Sequence, residues 1–307
     1  MIVVFGSINI DLITRVAAIP RPGETVLGSS YALAPGGKGA NQALAARRAG
    51  ARVRLAGAVG ADAFAEAALA LLRADGVDLT AVAVVDAPTG AAFIAVDAQG
   101  ENAIVVASGA NGHVRAGQLE AAPPRAGDLL LLQRETPEAE ALAAARAAKT
   151  AGARVALNLA PAGRLAPEWL ALLDFLILNE HEAATLGRDL GLGESPEAAA
   201  RAIAGRHGFA CIVTLGSAGV VAFAGGTRLA APAAKVAVVD TTGAGDAFVG
   251  AFAAAIDGGL PLAAALRRGS AAGALACTKE GAQPSLPSAA DIAALAAQLD
   301  ADETRRD

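Results

Sequence analysis

Residues 128–187 decide the fold. They contain DLLLL (128–132), PEAEALAAARAAKT (137–150), ARVALN (153–158), DFLILN (174–179) and EHEAATLG (180–187). The three apolar runs are short and do not alternate with polar residues, the pattern of strands buried on both faces. Between the first two, Pro137–Thr150 is of helix length with a proline at its first turn. Strand, helix, strand implies a parallel sheet covered by helices on both sides. Working outward, MIVVFG is a strand ending at Gly6, Lys38–Ala49 a helix, Val53–Val59 a strand and Phe64–Ala74 a helix. Downstream, Pro196–His207 is a helix, and CIVTL and VVAFA are strands joined by the turn GSAG. The final third reads as helices over Ala244–Ile256, Leu262–Cys277 and Ser288–Leu299, with a frayed polar tail over Asp300–Asp307. Two segments break this rhythm. Residues 12–34 are strand-like but interrupted by PRPGE, and Ala91–Asp97 and Asn102–Ala107 flank a hairpin turn. They are expected to pair as a small sheet flanking one main domain that spans 1–307.

Composition narrows the class. A net charge of −5 with no basic block argues against nucleic acid or an anionic membrane surface as partner. Aromatic residues make up 3%, so the core is built from Ala, Val, Leu and Ile. Gly208–Thr227 is uncharged and long enough to span a membrane, but its two strand-like halves around GSAG read as buried strands. The amino-terminal segment lacks a basic region, and Asp11 interrupts its apolar run, so no secretory signal is expected. Cys211 and Cys277 lie in apolar sequence without metal-ligand spacing, and read as buried free thiols in a reducing, cytoplasmic setting. His113, His181 and His207 form no ligand pattern and read as surface residues.

In parallel sheets, ligands bind beyond the carboxyl ends of the strands, so polar residues there carry the chemistry. TTGAGD (241–246) opens a helix, and the amides of Ala244, Gly245 and Asp246 form an anion site at the positive end of its dipole. A carboxylate beside a phosphate site is explained if Asp246 takes a proton from a hydroxyl while the amides hold developing charge. The alternative is an ordinary first helical turn. PGGKGAN (35–41) is not a Walker loop, but its glycines allow close backbone approach, and Lys38 and Asn41 supply a charge and an amide. GSINID (6–11) puts Asn9 and Asp11 past the first strand, suited to sugar hydroxyls or to an Asx turn. Asn179 and Glu182, three apart at a helix start, could address a hydrated cation together or cap the helix. Glu135 is a further strand-end carboxylate.

These motifs together resemble the PfkB carbohydrate kinase family, in its ribokinase branch. GSINID, PGGKGANQA, NxxE at 179–182, VTLGSAG (213–219), DTTGAGD (240–246) and KEGAQPS (279–285) stand in the family's order over nearly the whole chain. The resemblance implies a ribokinase-like three-layer α/β/α sandwich with a mainly parallel sheet and a small β lid, formed from about 12–34 and 91–107. It implies transfer of the ATP γ-phosphate to the 5-hydroxyl of D-ribose. Asp246 then looks like the base, and Gly243, Ala244 and Gly245 like the anion hole. Asn9, Asp11, Gly37, Lys38, Gly39, Asn41 and Glu135, with Asp246, look like the sugar site. Asn179, Thr214, Gly216, Ser217, Gly219, Gly245 and Ser270 look like nucleotide contacts. Mg²⁺ would be organised through water by Asn179 and Glu182, and K⁺ held by Asp240, Thr242, Ala276, Lys279, Gly281 and Ser285. A homodimer through the lid is also implied. Arg134 and Ile10 depart from the branch's usual residues and bear on sugar choice. Deoxyribose, a ketohexose or a nucleoside is the alternative substrate, and a non-catalytic sugar or nucleotide sensor is the alternative of another class.

Overall fold

Leu129–Leu132 shows how the layers arise. Leu129 and Leu131 pack into one buried cluster, Leu130 and Leu132 into a second, and all four are fully buried. Side chains alternate across a strand, so an unbroken leucine run fills both faces of a sheet. The computed structural model describes the backbone of residues 1–304 and the side chains of 1–300.

The strands are β1 (Ile2–Phe5), β2 (Asn9–Arg15), β3 (Tyr31–Gly36), β4 (Val53–Gly60), β5 (Asp78–Val85), β6 (Gly90–Val96), β7 (Asn102–Ala107), β8 (Leu129–Leu132), β9 (Arg154–Asn158), β10 (Phe175–Asn179), β11 (Ala210–Thr214), β12 (Val220–Ala224) and β13 (Thr227–Ala231). The helices are α1 (Lys38–Arg48), α2 (Ala63–Ala74), α3 (Glu138–Thr150), α4 (Pro167–Leu170), α5 (Glu180–Asp189), α6 (Pro196–His207), α7 (Ala244–Asp257), α8 (Leu262–Ala276) and α9 (Ala289–Thr304). Nine strands form the main sheet in the order β13-β12-β11-β10-β9-β8-β1-β4-β5. From β5 to β11 neighbouring strands are parallel, and β12 and β13 add an antiparallel edge. Helices α1, α2, α7, α8 and α9 cover one face, and α3, α4, α5 and α6 the other. This is the three-layer α/β/α arrangement expected from the alternation.

The two irregular segments do pair. They form a four-stranded sheet, β3-β2-β6-β7, in which β2 and β6 run parallel and the outer pairs antiparallel. Residues 16–30, with their prolines, join no ladder. One apolar side of this sheet stays open, with Tyr31, Leu33, Phe93 and Val105 exposed.

The structure differs from the sequence reading at strands β5 and β13, at the short helix α4, at Cys277 and at the end of α9, and agrees with it on Gly208–Thr227. Strands β5 and β13 were not expected, although β5 contains the apolar run Ala81–Val85; both lie at sheet edges and are incompletely buried. Cys211 is buried, but Cys277 is only half-buried. Helix α9 continues through Thr304, so Asp300–Thr304 is helical rather than frayed, and residues 305–307 lie outside the described residues. Among the described residues no helix is long and apolar enough to cross a membrane, and Gly208–Thr227 holds β11, β12 and the turn between them.

Helices α1 and α7 pack closely because Gly250 has no side chain. A Cβ there would lie 2.4 Å from Ala45 Cβ and 2.7 Å from the Ala46 amide nitrogen. Neither neighbour can swing aside, so Gly250→Ala must push the helices apart. We expect a loss of about 1–3 kcal/mol, as for overpacked cores. Thermal unfolding should show it as a fall of about 2–4 °C per kcal/mol; an unchanged Tm would contradict this packing.

Candidate active site

Helix α7 starts at Gly243, which has φ 75° and rests against the next loop: a Cβ would lie 2.9 Å from Ala282 Cα. Only glycine meets both demands. The Ala244 amide donates to Thr241 O at 3.2 Å, so it is not one of the free amides expected from the sequence. The amides of Gly245 and Asp246 have no protein acceptor among the described residues. An anion at this helix start would therefore meet these two amides and the helix dipole.

Asp246 is 8% exposed and both its oxygens are held. Asn41 Nδ2 donates to Oδ2 at 2.9 Å, and Gln42 Nε2 donates to Oδ1 at 2.8 Å. Both donors come from α1, which begins where the chain turns at Gly37 (φ 87°) against the start of β2. The Lys38 ammonium is held protonated above its usual range, chiefly by the Asp246 charge and against its own burial, with Glu135, Glu182 and Asp11 adding to the effect. Asn41 Oδ1 is buried without a partner, an acceptor left for a ligand.

Asp11 and Glu135 complete this cluster. Glu135 accepts from Ser7 Oγ at 2.5 Å and from the Lys38 amide at 3.1 Å. Burial, then the nearby charges of Glu135 and Asp246, raise the Asp11 carboxyl to about 6, while Lys38 pulls it down. Asn9 is differently engaged. Its Oδ1 accepts from Asn111 Nδ2 at 2.7 Å, and Asn111 also pairs with the Ile8 backbone in both directions. The carbonyl end of Asn9 thus braces the start of β2. Gly39 sits inside the same junction, its amide donating to Ser7 Oγ at 3.2 Å. Of the two departures, Ile10 is buried, and the Arg134 guanidinium lies against Gly163 in the loop after β9.

Asn179 and Glu182 form a reciprocal cap on α5. Asn179 Oδ1 accepts from the Glu182 amide and Glu182 Oε2 from the Asn179 amide, each at 2.8 Å. The helix-cap alternative is therefore correct, but it does not exhaust Glu182. With Lys38, Asn158, Thr214, Gly245 and Asp246 it lines a polar cavity of about 140 Å³. Burial holds its carboxyl above the usual range, against the pull of the Asn179 amide and Lys38.

Thr214 and Gly245 also line a second cavity, of about 590 Å³, so the two spaces meet at the start of α7. Gly216, Ser217, Gly219 and Ser270 line it, with Val220, Val238, Phe248 and Cys277 as apolar wall. The Ser270 hydroxyl donates to Pro232 O at 2.7 Å. Behind the anion site, Asp240 joins two segments: Oδ1 accepts from the Thr242 amide and hydroxyl, Oδ2 from the Gly281 amide. Ala276 O accepts from the Lys279 amide, and Ser285 Oγ donates to Ala282 O. This loop is the one that meets Gly243.

Five polar residues at this centre escaped the sequence reading: Ser7, Gln42, Asn111, Gln133 and Asn158. Three had a signal. Gln42 follows Asn41 directly, and Gln133 and Asn158 are the first polar residues at the ends of apolar strands. The three histidines are exposed, as expected.

Comparison with known proteins identifies the family of the chain. The family model described as pfkB family carbohydrate kinase matches residues 1–289. A ribokinase of Haemophilus influenzae is 40% identical over 291 residues, covering 92% of this chain and 94% of that one. The crystal structure of a Thermotoga maritima ribokinase aligns with TM-score 0.87 at 34% identity, covering 96% and 98% of the two chains. An Arabidopsis thaliana ribokinase solved with ribose and ATP aligns with TM-score 0.86 at 31% identity, covering 96% and 98%. With its fold, its strand-end motifs and these relatives in agreement, the chain belongs to the pfkB family of carbohydrate kinases.

Proposed function

We propose that this chain transfers the γ-phosphoryl group of ATP to the 5-hydroxyl of D-ribose, with Asp246 as general base. The observation that carries the reading is the position of Asp246. It is buried at the start of α7, gripped by two amide donors, and it lines the polar cavity that meets the larger one at Gly245. The larger cavity takes the nucleotide, its apolar wall the adenine, and Thr214, Gly216, Ser217 and Gly219 its polar end. Asp11, Lys38, Asn41 and Glu135 take the sugar hydroxyls, with Gly37, Gly39 and Asn9 shaping that side. The attacking hydroxyl gives its proton to Asp246 as its oxygen forms the new bond to the γ-phosphorus, while the bond from that phosphorus to the β,γ-bridging oxygen breaks and ADP leaves. Negative charge on the transferred group is met by the Gly245 and Asp246 amides, the α7 dipole and Lys38.

The residues present fit two cations. Glu182, with one oxygen committed to the cap, together with Asn179 suits a Mg²⁺ that keeps most of its waters. Bound there, Mg²⁺ would neutralise phosphate charge. Asp240, Thr242, Gly281 and Ser285, with the carbonyls of Ala276 and Lys279, suit K⁺, a site that would stiffen the loop under Gly243. The four-stranded sheet serves as a lid within a single domain, and its open apolar side fits the lid of a second copy.

Asp246→Asn keeps the shape and the hydrogen-bonding capacity of the site but removes the base. The expected result is a fall in kcat of about 10²–10⁴-fold with ribose still bound, measured by ADP release and ribose titration. A variant with unaltered kcat would mean that Asp246 only caps the helix.

A second expectation concerns pH. Asp11 titrates at about 6, so its carboxylate is present above that pH and is lost as pH falls. If the charged form accepts hydroxyl protons from ribose, KM for ribose should climb about tenfold per pH unit below it. Asp11→Asn should raise KM throughout and flatten this limb. A wild-type ribose KM that stays constant on acidification would remove Asp11 from the sugar site.

A further inference from the structure

A chain of buried side-chain amides leads from the backbone of the main sheet to Asp246. Asn158, ending β9, donates from Nδ2 to the carbonyl of Ile177 in β10 at 3.2 Å. A peptide carbonyl can only accept, so this bond decides which end of the Asn158 amide faces it. Asn158 Oδ1 is thereby turned toward Gln42, whose Nε2 donates to it at 2.9 Å. The same Nε2 donates to Asp246 Oδ1. At its other end, Gln42 Oε1 accepts from Gln133 Nε2 at 2.7 Å. Gln42 is 0% and Gln133 2% exposed, so water does not compete for these groups.

The two ends of a glutamine amide have the same shape and opposite polarity. Turned one way, Gln42 donates to Asp246; turned the other, it sets a carbonyl oxygen against a carboxylate. Asn158 permits only the first, and Gln133, whose own Oε1 has no partner, takes its polarity from Gln42, so the polarity of the whole chain descends from one backbone carbonyl. We infer that Gln42 is a positioning residue for phosphoryl transfer: oriented by Asn158, it holds the Asp246 carboxylate in the orientation that takes the proton of the sugar hydroxyl. This rests on the reading of Asp246 as the base.

The test is a pair of double-mutant cycles in the full chain, with kcat and both KM values read by coupled ADP release. Gln42→Met should lower kcat by about 10–100-fold and leave the KM for ribose and for ATP within about twofold. Asn158→Ala keeps Gln42 but removes the group that sets its polarity, and should lower kcat by a smaller factor, about 3–10-fold. In an Asp246→Asn background neither should lower kcat by more than about twofold, because the carboxylate they position is gone. A merely structural role would cost the same factor in both backgrounds, and that result would overturn the inference. If Gln42→Met does not fold, the Asn158→Ala cycle decides by the same criterion. Impaired Asp246→Asn beside unimpaired Gln42→Met would remove the positioning role alone. Unimpaired Asp246→Asn would remove the base, and this inference with it.

Discussion

The structure depends on one contact: the grip of α1 on the carboxylate of Asp246. A buried charge is costly unless it is paired and hydrogen-bonded. Here Asn41 and Gln42 supply a donor to each oxygen, Lys38 supplies a counter-charge, and the start of α7 supplies its dipole. Hydrogen bonds to a charged group are worth about 1.5–3 kcal/mol each, so the two together compensate a large part of the desolvation. The same contact fixes geometry. It ties the loop after the small sheet to the helix that begins the anion site, and the missing side chain at Gly250 lets α1 and α7 approach closely enough to make it.

This arrangement resolves an apparent conflict. A carboxylate at an anion site repels the anion it faces, so one expects it to be expelled or neutralised. Amide donors on both oxygens and a lysine nearby keep it in place as an acceptor. The Asp11 and Glu182 carboxyls are both raised, chiefly by burial.

Much of this was legible in the sequence, for a physical reason. Strands buried on both faces must be apolar throughout, so LLLL and FLIL announce themselves, and the polar residue that ends each run stands at the ligand-binding edge. Glu135 and Asn179 were singled out in that way, Glu182 by its spacing to Asn179, and Asp246, Lys38 and Asn41 by the glycine-rich stretches that open their helices. Edge strand β13 carries no such run, and the run Ala81–Val85 of β5 is part alanine, a residue that favours helices, so both were missed. The amide chain was missed because its bonds join residues 204 and 116 positions apart, Gln42 to Asp246 and Gln42 to Asn158, and no local pattern encodes them. Asn9 shows the reverse case: its motif pointed to the sugar, while Asn111, 102 residues away, claims its carbonyl.

Whether the polar cluster around Asp246 recognises the hydroxyls of a free pentose and phosphorylates it is tested most directly by ADP release at saturating ATP over a panel of D-ribose, 2-deoxyribose, fructose and a nucleoside. If Asn41 Oδ1, buried without a partner, and the half-buried Asp11 carboxylate accept from sugar hydroxyls, a missing hydroxyl leaves one of them unpaired. D-ribose should then show the highest kcat/KM, with 2-deoxyribose weaker. Faster turnover of fructose or of the nucleoside, or ADP release indifferent to added sugar, would contradict it.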